Sequence, residues 1–507
     1  MCRWLIVLNW IPVNSFWSLL ATLIAPAWMA SVCGSARFAK VFPHEAWFTR
    51  LIFLVWSSVV IASWYCLPVL LPWLLLLAVG TWTVIFCCDL RGQRAARGTP
   101  PGRLSILAGV RALADRDYYL RNFERYGPVF KMSQYGAPTI CVLGQERIEK
   151  LIKGHSGFLG PSTLPISNSV EGTFLRYMPK VTHAFYGRLF RRAMSMSFEP
   201  SQVRQVDRIC ESHLASLAEH ESSPYPELQS LARRSLNHLL LGLGAETPEG
   251  QRFDELARGF AKAGIGRSLV HRDRQVFAEL RRILAEKVEM DAADIARDAD
   301  AADGTSVLVR LRQLDPAMPD RVCLDNLIVM HRIATGNVSS LLVWLLYRWA
   351  TEDTIVSEIR AEPSDTRESL LALFLAETLR TSQSEYLYRR VVKEFDFEGY
   401  RYPSGWLVRG CVWESHSTTD AIDDPARFQL RRGDADYDRR HFIPLGVGSH
   451  ACNGGGVNEL ICLAFLKQLL CAADVRVTCA EPLQRQMRHW SHWQPNYAMR
   501  VNCGGIA

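Results

Sequence analysis

Residues 4–33, "WLIVLNWIPVNSFWSLLATLIAPAWMASVC", contain no charged side chain. The run exceeds the roughly 20 residues a helix needs to cross a bilayer. More apolar sequence follows it instead of a cleavage site and a polar start, so it predicts a span and not a secretory signal. A second apolar run, residues 51–88, is too long for one ordinary span, and Pro68 and Pro72 near its middle either divide it into two helices or kink a single tilted one. The pattern then changes. Two β-rich runs, Val129 to Gln134 and Thr139 to Leu143, flank a Gly-containing turn and lead into a helix. From about 170 to 350 a helical period dominates, with one acidic, alanine-rich stretch, "EKVEMDAADIARDADAADG", that reads as a solvated surface. After residue 380, "RRVVKEFDFEGYRYPSGWLVRGCVW" alternates and carries turn residues, which predicts strands and a hairpin; a helix follows from about 456 to 472. The expected class is mainly α (α+β), with small β-sheets at the start and later part of the body and N-terminal transmembrane helices before it.

This pattern divides the 507 residues into a transmembrane region, 1–90, a basic and proline-rich hinge, 91–104, and a soluble body, 105–507. Arg37, Lys40 and Arg50 lie between the apolar runs, and Arg91, Arg94 and Arg97 follow the second. If both basic segments stay on the cytoplasmic side, an even number of crossings separates them. Three spans, a lumenal N-terminus and a cytoplasmic body follow; one long kinked helix, giving two spans, is the alternative. "RGTPPGR" reads as a stiff, extended connection. The net charge of +7 is modest for this length, and no Lys/Arg stretch is interleaved with aromatics, which argues against a nucleic-acid partner. The basic residues after 90 suit topology and anionic headgroups instead. Fourteen cysteines are scattered without Cys-x-x-Cys spacing, as in a reduced cytosolic domain. Cys87 and Cys88 at the membrane edge are either palmitoylation sites or apolar filler.

Three features of the body fall in a fixed order. The helix "LALFLAETLRTS" sets Glu377 and Arg380 three apart on one face. The loop "DDPARFQLRRG" is rich in arginine. "PLGVGSHACNG" then isolates Cys452, 75 residues after Glu377, among glycines and just ahead of an apolar helix. Together, from the proline hinge to the C-terminus, the chain resembles the cytochrome P450 superfamily. The resemblance implies a P450 fold in which Glu377 and Arg380, completed by Arg427 or Arg432, lock the core beneath a haem (heme b). It also aligns Gly448, His450, Cys452 and Gly454 with the haem loop and makes Cys452 the iron's axial ligand. Glycines and a helix start would stabilise a thiolate there, and thiolate ligation favours O–O cleavage. Two positions depart from the family pattern: Leu445 replaces the aromatic seven residues before the cysteine, and His450 replaces the usual arginine two before it. "VTHAFYGRLFRRAMSMSF" is similar to the helix that binds the haem propionates. His183 and Arg188 are its candidates, with Arg191 and Arg192 close behind, and Arg390 on a later strand is another.

The long helix "DNLIVMHRIATGNVSSLLVWLLYRWATED" resembles the one that crosses above the haem, where most members carry an acid followed by threonine. One register sets Ser339 at the threonine and Val338 at the acid. The other, which fits a longer stretch without a gap, sets Asn337 at the threonine and Gly336 at the acid. Neither supplies a carboxylate. The Asn register is similar to the branch that contains prostacyclin synthase and the sterol 7α- and 12α-hydroxylases. An amide holds water but cannot relay a proton as a carboxyl can. The resemblance implies a monooxygenase in the endoplasmic reticulum membrane, acting on a lipophilic small molecule of terpenoid, steroid or polyketide type in secondary-metabolite biosynthesis. Electrons would come from NADPH through NADPH-cytochrome P450 reductase. The alternatives are a haem-thiolate isomerase or dehydratase working without O₂, and a non-catalytic haem-binding membrane protein.

Overall fold

The computed structural model describes residues 96–104, 117–134, 137–161, 173–219, 223–261, 271–297, 306–383, 387–432, 442–478, 483 and 500–506. The expected spans, Arg91, Arg94, Cys87 and Cys88 lie outside the described residues. The chain divides into two compact units that interleave along the sequence. One holds residues up to Val142 with Ser156–Pro165 and Tyr388–Arg409; the other holds Leu143–His155, Ile166–Leu387 and Gly410–Ala507.

The first unit is built on a six-stranded sheet, with α1 (Tyr118–Tyr126) beside it in sequence. Strands β1 (Gly102–Arg103), β2 (Val129–Gln134), β3 (Ala137–Val142), β4 (Leu159–Pro161), β5 (Leu387–Val391) and β8 (Leu407–Gly410) take the order β1-β2-β3-β8-β5-β4. β2 and β3 pair antiparallel, Val129 opposite Val142. Between β5 and β8, β6 (Phe395–Phe397) and β7 (Tyr400–Tyr402) form a separate hairpin. Its turn residues, Glu398 and Gly399, have φ of 49° and 77°, as a two-residue type I′ turn requires. The rings of Phe395 and Tyr402 stack across it at 4.9 Å. The proline segment is bonded where the sequence suggested a stiff connection. β1 pairs parallel with β2, and the buried Lys131 Nζ donates to Pro100 O (2.9 Å) and Thr99 Oγ1 (3.2 Å). A Cβ at Gly102 would stand 2.2 Å from Lys131 O, so the approach needs glycine.

The second unit is helical. Its helices are α2 (Gln145–Gly154), α3 (Lys180–Ser195), α4 (Pro200–Glu219), α5 (Tyr225–Leu236), α6 (Pro248–Ala261), α7 (His271–Arg297), α8 (Val307–Leu314), α9 (Asp320–Thr351), α10 (Asp353–Ala361), α11 (Ser364–Thr378), α12 (Val412–Ser417) and α13 (Gly455–Cys471). β9 (Ala472–Thr478) pairs antiparallel with β10 (Arg500–Ile506). α5 and α11 each run into a π turn, Asn237–Leu241 and Leu379–Gln383. α9 and α13 are apolar on most faces because other helices surround them. α9 is the one described helix long and apolar enough to cross a membrane, but it is a core helix: 67% of its most apolar window is buried. Leu341, Leu342, Val343 and Leu345 of α9 join Ile461, Phe465 and Leu469 of α13 in a single apolar core. Phe374 of α11 sits in it between Trp349 (5.5 Å) and Phe428 (5.1 Å), and burying a ring of that size contributes about 1.5–3 kcal/mol. This core fixes α9, α11 and α13, the helices that carry the distal, lock and cysteine-loop residues.

Candidate active site

Glu377 lies in the last turn of α11 and Arg380 in the π turn that continues it; both are buried, at 0% and 1% exposure. Their spacing of three puts both on one face, and Arg380 grips the carboxylate with Nε to Oε2 (2.7 Å) and Nη2 to Oε1 (2.8 Å). Of the two loop arginines, Arg432 provides the side chain: its Nε reaches Glu377 Oε1 at 3.1 Å. Arg427 is exposed and contributes its carbonyl, which accepts from Arg380 (3.1 Å) and Arg432 (2.6 Å). Sequence reasoning did not find Gln429, whose N–H also donates to Glu377 Oε1 (3.0 Å). Burial alone would raise the Glu377 carboxyl, but Arg380, the Gln429 N–H and Arg432 hold it below the usual carboxylate range.

Arg380 also reaches forward, donating to His416 O (3.2 Å) and Pro425 O (2.6 Å). His416, fully buried on α12, accepts the Ile443 N–H at Nε2 (3.2 Å) and so holds the start of the cysteine loop. Burial, and then the charge of Arg380, lower this imidazole to about 3. The loop turns through Gly446 and Gly448, with φ of 75° and 76°, and a Cβ at Gly448 would press on Ile152 at 3.2 Å. The Cys452 N–H donates back to Leu445 O (2.9 Å). α13 begins with Asn458 N–H to Gly454 O (3.0 Å), so the positive end of its dipole lies close behind the cysteine. A Cβ at Gly454 would meet nothing within 4 Å.

Of the cysteines whose side chains are described, Cys141, Cys210, Cys323, Cys411 and Cys462 are buried, whereas Cys452 and Cys471 are exposed. Burial pushes Cys323 up to about 12 and also raises Cys210 and Cys462, which keeps them thiols. Among the described residues no group of three His, Cys, Asp or Glu could hold a bare metal ion. A haem brings four nitrogen ligands of its own and asks the chain for a single soft donor. One exposed thiol in a glycine loop beside a helix start fits that demand.

α3 meets the cysteine loop. The buried His183 ring lies 4.1 Å from the His450 ring, and Arg191 Nη2 reaches Ser449 O at 3.4 Å. Arg188 stands on the exposed side and bonds its own helix at Ala184 O (3.1 Å). Arg191, named after it in the sequence reading, is the arginine brought to the loop. Gly187 occupies the place one turn after His183, where the common His-x-x-x-Arg spacing would put the arginine. Arg390 belongs to β5 in the other unit, where burial lowers the pKa of its guanidinium.

On α9, Ser339 is fully buried, and its hydroxyl donates to Thr335 O of its own helix. That bond ties the Ser339 hydroxyl to its own helix. Gly336 and Asn337 are half-buried, on a less covered strip that includes the exposed Ile333.

The family model for cytochrome P450 matches residues 267–492. Abscisic acid 8'-hydroxylase 2 of Arabidopsis thaliana is 22% identical over 69% of this chain and 78% of its own length. Cytochrome P450 26B1 of Bos taurus is 24% identical over 68% of this chain and 74% of its own. Among solved structures, the retinoic acid-bound cyanobacterial CYP120A1 aligns with a TM-score of 0.64 and 17% identity, covering 78% of this chain and 95% of that one. The matched stretch contains the lock and the cysteine loop, relatives and fold point the same way, and the chain belongs to the cytochrome P450 superfamily of haem-thiolate monooxygenases.

Proposed function

We propose that this chain is a membrane-anchored monooxygenase of lipophilic small molecules in which Cys452 is the axial ligand of the haem. The observation that carries the assignment is the setting of Cys452: an exposed thiol between left-handed glycine turns and the N-terminus of α13. The bound haem supplies oxygen activation when two electrons reach it, and those come from NADPH through a membrane-bound reductase. Gly448 and Gly454 leave room beside the cofactor, and His450 and His183 take its propionate side with Arg191. Glu377, Arg380 and Arg432 hold the loop from behind. Asn337, with Gly336 making space, holds a water over the distal side, where its amide both donates and accepts. One relative is named for abscisic acid, an isoprenoid carboxylic acid, which supports a substrate of terpenoid type. Residues 1–90 act as the anchor, in three spans, 91–104 as the connection, and 105–507 as the catalytic body in the cytoplasm beside the endoplasmic reticulum membrane.

One observation favours a second reading. No carboxylate stands between Met330 and Asn337 on α9, and an isomerase or dehydratase that consumes an oxygenated substrate needs no proton relay. Spectroscopy tests the ligand in either case. The reduced, carbon monoxide-bound protein is expected to show the strongly red-shifted Soret band of thiolate haem, and Cys452→Ser to abolish it. A wild-type band at the position typical of histidine ligation would refute the assignment.

A further inference from the structure

Among the described residues, two arginines outside the lock are fully buried, Arg409 and Arg310, and Arg310, at 2% exposure, lies on α8. α8 buries Val307, Leu308 and Leu311 on the same face, so an arginine there lies among core positions. Its guanidinium serves the C-terminal end of α3: Nη1 donates to Ala193 O (3.3 Å) and Met196 O (2.9 Å), and Nη2 to Ser197 O (2.9 Å). The same group stacks over Phe198 at 4.4 Å. A helix end exposes carbonyls without intrahelical partners and carries partial negative charge, so a buried cation satisfies both needs. Only a planar fork reaches three carbonyls at once; a lysine ammonium cannot take the stack and the spread together.

What α3 carries makes this more than a cap. About one turn before its end, Arg191 meets Ser449 O; further back, the His183 ring lies 4.1 Å from that of His450; and Met194 O lies 3.4 Å from where a Cβ on Gly456 would stand. Sliding α3 along its axis would break all three contacts with the cysteine loop and the start of α13. We infer that Arg310 is a positioning residue that fixes the axial register of α3 and, through it, the seat of the Cys452 loop. This rests on the reading of Cys452 as the haem ligand.

The test compares Arg310→Met with Arg233→Met in the full-length holoprotein. Arg233 is similarly buried (4%) and pairs with Asp254 away from α3, so its loss reports general destabilisation. Two readouts apply: the rate of haem transfer to an excess of apomyoglobin, and the share of the reduced carbonyl complex that keeps the thiolate band. Arg310→Met is expected to speed haem loss about tenfold, the equivalent of one charge-assisted bond, and to lower the thiolate share, with Arg233→Met unchanged in both. Arg310→Lys should fall between wild type and Met, and it carries the comparison if Arg310→Met does not accumulate. Equal haem loss in the Arg310 and Arg233 variants at matched thermal stability overturns the inference and leaves Cys452 ligation intact. A wild type without the thiolate band removes the ligand assignment itself.

Discussion

Replacing Arg432 by alanine removes one of the two cations that face Glu377. The side chain is 2% exposed and the carboxylate 0%. Arg432 gives Nε to Glu377 Oε1 at 3.1 Å and spends Nη1 and Nη2 on the carbonyls of Asp423 (2.6 Å), Asp424 (3.1 Å) and Arg427 (2.6 Å). Its loss takes a donor from three loop carbonyls, of which Arg427 O keeps Arg380 and Asp424 O keeps the Arg427 N–H, and leaves Glu377 with Arg380 and the Gln429 N–H. Breaking a buried pair by removing one partner costs about 3–5 kcal/mol. At about 2–4 °C per kcal/mol for a large domain, the melting point should fall by about 6–20 °C. Arg427→Ala serves as the contrast. That side chain is exposed and only its carbonyl is used, so the cost should stay within about 0.5 kcal/mol. Glu377→Gln should cost at least as much as Arg432→Ala, because two buried guanidinium groups then share no counter-ion. Thermal scans at one fixed rate, followed at the Soret band and by circular dichroism, rank the three, since an irreversible transition depends on scan rate. Equal losses in Arg427→Ala and Arg432→Ala, or a negligible loss in Arg432→Ala, would refute the reasoning.

If Asn337 holds the distal water, Asn337→Ala should consume more NADPH per product and release the excess as hydrogen peroxide or water, while wild-type product takes label from ¹⁸O₂. NADPH-independent turnover of an oxygenated substrate without label uptake would instead establish the isomerase reading. Burial holds His331 at about 4 and His416 at about 3, against roughly 6.5 in the unfolded chain, so between pH 6.5 and 4 the unfolded state binds two more protons. Stability should therefore fall by up to about 2.7 kcal/mol per pH unit on acidification through that window, measured as melting point against pH, and His331→Asn should halve the slope. Glycosylation acceptors in a spacer before Met1 should be modified and those between residues 37 and 45 should not; modification of the second site would reject three spans.

What the sequence disclosed was chemistry carried by neighbours in the chain. Glu377 and Arg380 are one helical turn apart, and Cys452 stands inside its own loop of glycines, so spacing alone assembles each of them. The choice between Arg427 and Arg432 was not legible, because it depends on how the loop backbone turns. Arg427 points its carbonyl inward and its side chain to solvent, whereas Arg432 turns its guanidinium inward to Glu377. On the helices, phase decides which side each candidate faces. Arg188 is five residues from His183, about 140° around the helix, and lands on the open side; Arg191, eight residues on, comes back to within about 80° and reaches the loop. Ser339 stands about 200° from Asn337 and turns inward for the same reason. Lys131, which ties the proline segment to β2, and Arg310 looked like ordinary strand and helix charges, because nothing local marks a buried cation whose partners lie 31 to more than 100 residues away.

The lock and the cysteine loop are joined by one residue that neither motif contains. Arg380 binds the carbonyl of His416, and the ring of His416 accepts the N–H of Ile443, nine residues before Cys452. That second bond needs a neutral imidazole, since a protonated ring has no acceptor. Protonation would also set a new buried cation beside Arg380, whose charge already lowers the His416 pKa. Charging His416 therefore breaks the link in two ways at once, and the lock can no longer brace the loop. Loss of the thiolate band in acid should consequently coincide with the melting of the α11–α12 region. A band lost well before that melting would place the acid-sensitive group on the cysteine loop itself.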